Sequence, residues 1–263
     1  MLKLYHGANS VCSIKVRIVL EEKNMAWESH HIDLPKGEQF SEEFIALNPR
    51  SFVPVLIHDG FILRESSVIC EYIDQLSDVN PLMPTSAEEQ AKTRVWGVQC
   101  LEYHDSVNTL TFASYQRSML LSKPKDELEK RWRSMPDQIR AKKVQDLVEN
   151  GASSGYVPVA MQRMSRLARE INDELEHSDW LMGDSYSMAD ALVTAYFFRT
   201  ECVGLAGLWE SHYPRTTNWY NRIKERRSFD ASIAPWLNEE EMAKIHAAGQ
   251  ETFLADDRFA DYL

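Results

Sequence analysis

The strand patterns of this 263-residue chain are confined to its first quarter, and this uneven distribution restricts the folds open to it. Residues 2–6 and 27–33 are typical of short strands, and residues 12–24 between them have helical spacing. In the segment VPVLIHDGFILRES, two apolar runs flank an Asp-Gly pair, which is a strong hairpin signal. The pattern predicts a small mixed-sheet domain that starts with a β-α-β unit.

Helical spacing near 39–47 and over 66–77 completes this domain. The segment DVNPLMPTSAEEQ has two prolines and no periodicity, and only helical patterns rich in Trp, Met and Leu follow it. We therefore predict a mixed-sheet domain, a linker and an all-helical domain, the last with a charged insertion and an acidic, aromatic tail. The predicted bounds are 1–78 for the first domain, 79–86 for the linker, 87–263 for the helical domain, 121–160 for the insertion and 236–263 for the tail.

Composition excludes several classes of function. A hydrophobic content of 44% provides a sizeable core, and a net charge of -11 disfavours nucleic acid and membrane surfaces as partners. No apolar run approaches the roughly 20 residues needed to span a bilayer, and the N-terminus lacks a signal-peptide pattern, so we expect a cytosolic protein. Four scattered cysteines suggest neither a disulfide framework nor a zinc site, and we predict no metal.

Two short segments could bind an extended ligand. Val53-Pro54 directly precedes a strand, where a cis bond would turn the backbone of Val53 toward a peptide and a trans proline would simply start the strand. Glu65 and Ser66 begin a helix, whose positive N-terminus favours a carboxylate, while Glu65 could accept from an amine. The alternative for Ser66 is an ordinary helix cap.

The opening stretch GANSVCS also joins a strand to a helix. A free thiol is mostly protonated at neutral pH, and a hydrogen bond donated by Ser10 could favour its thiolate form; alternatively, Ser10 could only cap the helix. Asn9 is a second possible donor. Cys12 could form a mixed disulfide, although we expect it to face the domain interior. In SYSMADALV, Ser187 and Asp190 fit a structural capping box.

Taken together, these motifs resemble a known family. The NSVCS-KVR helix start, NPRSFVPVL, ESSVICEY and SMAD are similar to the cytosolic glutathione transferases of the serine type, over about residues 1–230. The run ESSVICEYID, RVW at 94–96, the insertion and DWLMGDSYSMAD resemble more closely the bacterial β-etherases that cleave lignin-type β-aryl ethers.

The resemblance implies an α/β thioredoxin-like N-terminal domain with a mixed four-stranded sheet, an all-α C-terminal domain and glutathione as cosubstrate. In this family Ser10 would face the glutathione sulfur, Val53 with Pro54 would bind its cysteine backbone, and Glu65 with Ser66 would hold its γ-glutamyl end. Gln39, or Lys36 in its place, would bind the glycine carboxylate. The family has a glycine before Val-Pro where this chain has Phe52, and we expect that side chain to crowd the approach to Val53.

By the same resemblance, we expect a homodimer and a hydrophobic aromatic second substrate bound between the domains. Alternatives are a glutathione-dependent isomerase, a dehalogenase, a general conjugating transferase, or a protein-binding scaffold without turnover. Candidate residues for the second substrate, none of them assigned a catalytic role, are Tyr103, His104, Val107, Tyr115, Arg117, Trp236 and Phe253.

Overall fold

The computed structural model describes residues 1–262, so Leu263, the last residue of the predicted helical domain and tail, lies outside the described residues. The strands are β1 (Leu2–His6), β2 (Trp27–His31), β3 (Val55–His58) and β4 (Phe61–Leu63). They form one sheet in the order β2-β1-β3-β4, in which β1 is parallel to β2 and antiparallel to β3, and β3 is antiparallel to β4. The predicted mixed four-stranded sheet is confirmed.

Local sequence accounts for the central strand and for the hairpin. Leu2, Leu4 and His6 alternate along β1 and are buried, as expected for one covered face of a strand. Between β3 and β4, Asp59 and Gly60 both have positive φ, at 48° and 90°. This two-residue turn matches the twist of the strands it joins, so the hairpin prediction is confirmed.

Thirteen α-helices lie within residues 1–262, three of them beside the sheet strands in sequence. These three are α1 (Val11–Glu22), α2 (Glu42–Leu47) and α3 (Ser66–Gln75). The helices that follow are α4 (Ala87–Ala113), α5 (Tyr115–Leu121), α6 (Lys125–Ser134), α7 (Gln138–Asn150), α8 (Tyr156–Glu174), α9 (Met188–Cys202), α10 (Gly207–Glu210), α11 (Pro214–Lys224), α12 (Arg227–Ile233) and α13 (Glu239–Gly249). None of the helices in this described part is long and apolar enough to cross a membrane.

The chain divides into two compact units that are not continuous in sequence. The first unit contains residues 1–100, 177–195 and 219–237, and the second contains the other described residues, 101–176, 196–218 and 238–262. The end of the first domain at residue 78 and the start of the helical domain at residue 87 stay predictions.

Asp190 holds the start of α9. It accepts from the Ser187 backbone N–H at 2.9 Å, so the carboxylate reaches back as the capping box predicts. The Ser187 hydroxyl donates to this same carboxylate at 2.6 Å instead of accepting from the helix, and Trp219 Nε1 donates to it at 2.8 Å. Asp190 is fully buried, so these bonds compensate a carboxyl group that has lost its water.

The C-terminal tail is helical and is anchored by a glycine. After α13 the chain continues through a π-helical turn at Gln250–Leu254 and a 3-10 turn at Asp257–Tyr262. A Cβ added at Gly249 would lie 1.9 Å from the carbonyl oxygen of Val203, a distance that real atoms do not reach. The close approach of these two backbones therefore requires glycine.

Candidate active site

Ser10 is the N-cap of α1, with extended backbone angles of φ -90° and ψ 120°. Its Oγ accepts the N–H of Ser13 at 3.3 Å, which is the capping role considered for it. A hydroxyl that accepts through a lone pair still has its own proton to donate. Capping and donation to a ligand atom are thus compatible in one side chain. Ser13 is buried and accepts the Gly7 N–H at 3.2 Å, so it serves the structure of the loop.

Strand pairing brings the second motif close to this loop. Tyr5 in β1 pairs with Val55 in β3, so the end of β1 and the start of β3 are neighbours at one edge of the sheet. The Val53-Pro54 bond, immediately before β3, is cis. Pro54 is buried and Val53 is half-buried. The cis arrangement considered from the sequence is therefore the one present.

Glu65, rather than Ser66, occupies the N-cap position of α3. Its φ of 71° is unusual for a residue other than glycine, and strained backbone of this kind clusters at ligand sites. Within residues 1–262, the Glu65 side chain makes no capping bond to the helix and instead pairs with Arg50, at 2.7 Å between Oε1 and Nη1. Ser66 is the first helical residue, so the N-cap alternative for it is wrong.

A buried lysine connects α1 to the start of α3. Lys15 is 1% exposed, and its Nζ donates to Ser67 Oγ at 3.0 Å. Because Ser67 adjoins Ser66, this bond holds the first turn of α3 against α1. The Ser10 loop, the Val53-Pro54 bond and the Glu65-Ser66 turn all belong to the first unit.

The loop before the cis bond has one left-handed residue, Ser51, with φ 56°, while Phe52 is not among the residues with positive φ. The backbone at Phe52 therefore does not require glycine. Crowding of Val53 by the Phe52 side chain stays a prediction. Phe52 packs under the Arg50 guanidinium, 5.5 Å from its ring centre, and its carbonyl accepts from Asn48 Nδ2 at 2.8 Å. Arg50 was not predicted as a site residue, because in the sequence it is only a lone cation in this loop.

Gln39 and Lys36 differ in what their side chains do. Gln39 lies in the 3-10 turn Glu38–Phe40 and is 7% exposed, and its Oε1 has no hydrogen-bond partner in the described part of the chain. Lys36 is exposed and forms a salt bridge with Asp33 at 2.9 Å. The hydrogen bond to the Asp33 carboxylate raises the pKa of Lys36. Of the two candidates for a carboxylate site, Lys36 already has a carboxylate partner in Asp33.

Arg17 is a second residue that sequence reasoning missed. It is 1% exposed, and its nitrogens donate to three carbonyl oxygens: Nε to Ser232 at 2.7 Å, Nη2 to Ala8 at 2.9 Å and Nη1 to Gly7 at 3.2 Å. Nη1 also contacts His6 Nδ1 at 3.0 Å. In the sequence, Arg17 is only a charged residue within a helical pattern. Such a residue is normally interpreted as exposed, so its burial could not be predicted before the fold was known.

Cys12 and the other thiols are reduced in the described residues, and no group of His, Cys, Asp and Glu side chains there could hold a metal ion. Cys12 is half-buried in the first turn of α1. Burial raises the pKa of Cys70 to about 12 and that of Cys202 to about 11, so neither thiol ionises at neutral pH.

Several candidates for the second substrate are core residues of the second unit. Tyr103, Val107 and Phe253 are at most 1% exposed. The Tyr103 hydroxyl donates to Glu170 at 2.9 Å, and burial raises its pKa. Tyr115 donates to Glu241, and burial likewise raises its pKa. These tyrosines are therefore engaged with carboxylates of their own unit.

The remaining candidates have varied surroundings. The Arg117 Nε is buried without a hydrogen-bond partner in the described chain, and His104 Nε2 contacts Asn108 at 2.8 Å. Trp236 belongs to the first unit and packs edge-on against His6, with ring centres 4.5 Å apart. A pocket of about 490 Å³ in the second unit is charged rather than apolar. Its lining residues are Glu102, Val159, Gln162, Arg163, Ser165, Arg166, Arg169, Tyr213 and Tyr262.

Comparison with known proteins establishes the family. The family model described as "Glutathione S-transferase, N-terminal domain" matches residues 9–76, and "Glutathione S-transferase, C-terminal domain" matches residues 137–227. Glutathione S-transferase A of Pleuronectes platessa is 31% identical over 90% of this chain and 93% of its own length. The chain belongs to the glutathione S-transferase family, and homologues in this family use glutathione as cosubstrate.

Within this family, one relative is similar in both sequence and structure. Protein LigF of Sphingobium sp. (strain NBRC 103272 / SYK-6) is 29% identical over 72% of this chain and 75% of its own length. The crystal structure of the β-etherase LigF superposes with a TM-score of 0.80 at 26% identity, over 88% of this chain and 98% of that one. Glutathione transferase F7 of Populus trichocarpa superposes with a TM-score of 0.68 at 23% identity, over 88% of this chain and 97% of its own, which supports the fold alone.

Proposed function

We propose that this protein uses glutathione to cleave a β-aryl ether, giving a glutathione thioether and a phenol. The family supplies the glutathione chemistry, and the similarity to LigF supports the ether substrate. The observation that carries the proposal is the state of Ser10, whose Oγ caps α1 while its proton stays available to a ligand.

The residues fit the three parts of a γ-glutamyl tripeptide. Glu65 would accept from the γ-glutamyl ammonium, and Ser66 would donate to the carboxylate beside it. Val53, set by the cis bond to Pro54, would pair with the cysteine backbone. Gln39 would donate its amide to the glycine carboxylate. Glutathione is a substrate here and supplies the attacking thiol.

Ser10 would act on the charge of that thiol. A free thiol has a pKa of about 8.5, and a donated hydrogen bond together with the N-terminus of α1 favours its ionised form. The thiol gives its proton to solvent, a C–S bond forms at the carbon bearing the aryl ether oxygen, and the C–O bond breaks with its electron pair leaving on phenolate, which takes up a proton from solvent. Because the conjugate acid of phenolate has a pKa of about 10, the leaving group needs little further assistance. Thiolate stabilisation and alignment of the two substrates then provide the catalysis.

The test compares the wild type with Ser10→Ala in the presence of glutathione and a panel of fluorogenic β-aryl ethers. Since single hydrogen-bond donors to a reacting anion are worth about 10²–10³ in rate, we expect a loss of about that size. Ser41→Ala is the matched control, because Ser41 caps α2 through the same kind of bond, to Phe44 N–H at 3.2 Å. No phenol from any ether would refute the etherase activity, and unchanged release in Ser10→Ala would assign the donor to Asn9 or to no side chain.

We also propose that the protein is a cytosolic homodimer. On the first unit, β4 and α3 expose Phe61 (53%) and Val68 (53%), and the N-terminal half of α4 exposes Val98 (68%). Exposed apolar groups of this size on neighbouring elements are characteristic of protein interfaces. A second copy of this chain is the occupant that the family resemblance favours.

A further inference from the structure

Arg17 is buried but has no carboxylate among its described partners. Its hydrogen bonds go to three carbonyl oxygens and to His6, and its guanidinium carbon lies 5.4 Å from the centre of the Trp236 ring. A buried charge is normally paired, because removal from water is costly. Burial lowers the pKa of Arg17 only to about 9, so the guanidinium is still charged at neutral pH.

The groups around Arg17 do not neutralise it. An arginine can only donate, so His6 Nδ1 accepts from it and the ring proton lies on Nε2, which donates to Ser29 Oγ at 2.8 Å. Burial, Arg17, His31 and His30 lower the pKa of His6 to about 3, so this ring is neutral. Of the other charged groups on α1, Lys15 is bonded to Ser67, and Glu22 is bonded to Arg226 and Ser228. The remaining one, Glu21, is not among the described hydrogen-bond partners of Arg17.

The carbonyl of Gly7 connects Arg17 directly to Ser10. This oxygen accepts from Arg17 Nη1 at 3.2 Å and from the Ser10 backbone N–H at 3.3 Å. The next carbonyl, that of Ala8, is held by the other terminal nitrogen of the same guanidinium. Two of the three residues before Ser10 are therefore fixed by one side chain, which is in turn anchored to Ser232 in α12.

We infer that Arg17 is a positioning residue of the glutathione site, which sets the backbone that presents Ser10 and adds an uncompensated positive charge beneath the glutathione sulfur. The inference rests on the proposed role of Ser10. If the hydrogen bonds of Arg17 were only structural, replacing Arg17 would change the stability of the fold and nothing else. A positioning residue also changes the ionisation of the bound thiol, because an opposite charge nearby favours the thiolate.

The experiment measures the pKa of the glutathione thiol in the binary complex, by the ultraviolet absorbance of the thiolate, together with kcat/KM against pH. Arg17→Met keeps an unbranched side chain as long as the arginine stem to Nε and removes the charge and the donors, so we expect the thiol pKa to rise by on the order of one unit, about a tenfold change in the ratio of thiolate to thiol. Arg17→Lys keeps the charge but replaces three donor nitrogens by one. Its thiol pKa should rise by less than half as much, with a reduced kcat/KM.

Arg226→Met is the matched control. Arg226 is an arginine of the same unit that is paired with a carboxylate, at 2.7 Å from Glu22, so its loss should destabilise the fold and leave the thiol pKa unchanged. A folded Arg17→Met variant with the wild-type thiol pKa would overturn the inference. If circular dichroism shows that Arg17→Met does not fold, the test depends on Arg17→Lys. A thiol pKa and a kcat/KM of Arg17→Lys that equal those of the wild type would overturn the inference. A wild type that binds no glutathione would instead refute the proposed function, and the inference with it.

Discussion

The Ser10 hydroxyl combines two roles that are often regarded as alternatives. As an acceptor it satisfies one of the N–H groups that α1 leaves without an intrahelical partner. As a donor it can still serve a sulfur atom. If Ser10 donates to the sulfur as proposed, one side chain links the stability of the helix to the proposed chemistry.

Glu65 offers a test of the γ-glutamyl site. Glu65→Gln should raise the KM for glutathione about tenfold or more with little change in kcat, because a hydrogen bond to a charged group contributes about 1.5–3 kcal/mol. The control is Glu71→Gln, which disrupts another exposed pair on α3, with Arg94 at 2.6 Å. Equal KM values for both variants would exclude Glu65 from the site.

His6 predicts how stability depends on pH. Its folded pKa of about 3 lies below the ordinary value of 6.5, so only the unfolded state binds a proton as the pH falls through this interval. The stability is fully present above pH 6.5 and decreases below it, by about 1.6 kcal/mol between pH 6.5 and 5, because the slope approaches 1.36 kcal/mol per pH unit only once the unfolded histidine is mostly protonated. Urea unfolding at both pH values measures this loss, and His6→Asn should reduce it. The same slope in both proteins would contradict this interpretation.

The helices and strands near the site follow from local patterns. The alternation of Leu2, Leu4 and His6 indicates β1, and the Asp59-Gly60 pair fixes the hairpin. These features depend on neighbours in sequence, which is why they could be predicted. The positions of Ser10 and Glu65 at helix starts could also be predicted, because each lies where a short motif begins a helix.

The contacts of Arg17 and Arg50 could not be derived in this way. Arg17 donates to Ser232, 215 residues away, and a periodicity argument does not reach such a distance. Arg50 forms a salt bridge with Glu65 because the loop before β3 lies beside the start of α3. The positive φ of Ser51 also could not be predicted, because the backbone angles of a loop depend on how the loop packs.

The tail provides a test of helix packing in the second unit. In Gly249→Ala the added Cβ would meet the Val203 carbonyl, so α13 must move from the core, and we expect a loss of about 1–3 kcal/mol in stability, as for other overpacked sites. Gly155→Ala is the control, since a Cβ there has open space. Thermal unfolding compares the two, and equal midpoints would contradict the close approach.

The assembly can be tested through the exposed apolar groups. Val98→Asp should convert a dimer to a monomer in sedimentation experiments, because a buried unpaired carboxylate is costly at an interface. Val159→Asp alters another exposed valine, on α8, and should leave the assembly unchanged. A wild type that sediments as a monomer would refute the homodimer.

The observations that establish the fold and the family are not the ones that support the proposed ether substrate. The same glutathione site serves many electrophiles, so the ether substrate depends on similarity to LigF together with the chemistry of the site. An isomerase, a dehalogenase or a conjugating transferase would share Ser10, Glu65 and the cis bond at Pro54. The products of the reaction distinguish these activities.

The most direct measurement is the mass balance of one turnover mixture that contains the protein, glutathione and a β-aryl ether. We predict that phenol and the glutathione thioether form in equal amounts, that one glutathione is consumed for each phenol, and that Ser10→Ala slows both products together. Phenol released without a thioether, or no phenol from any ether while another electrophile is conjugated, would contradict the account.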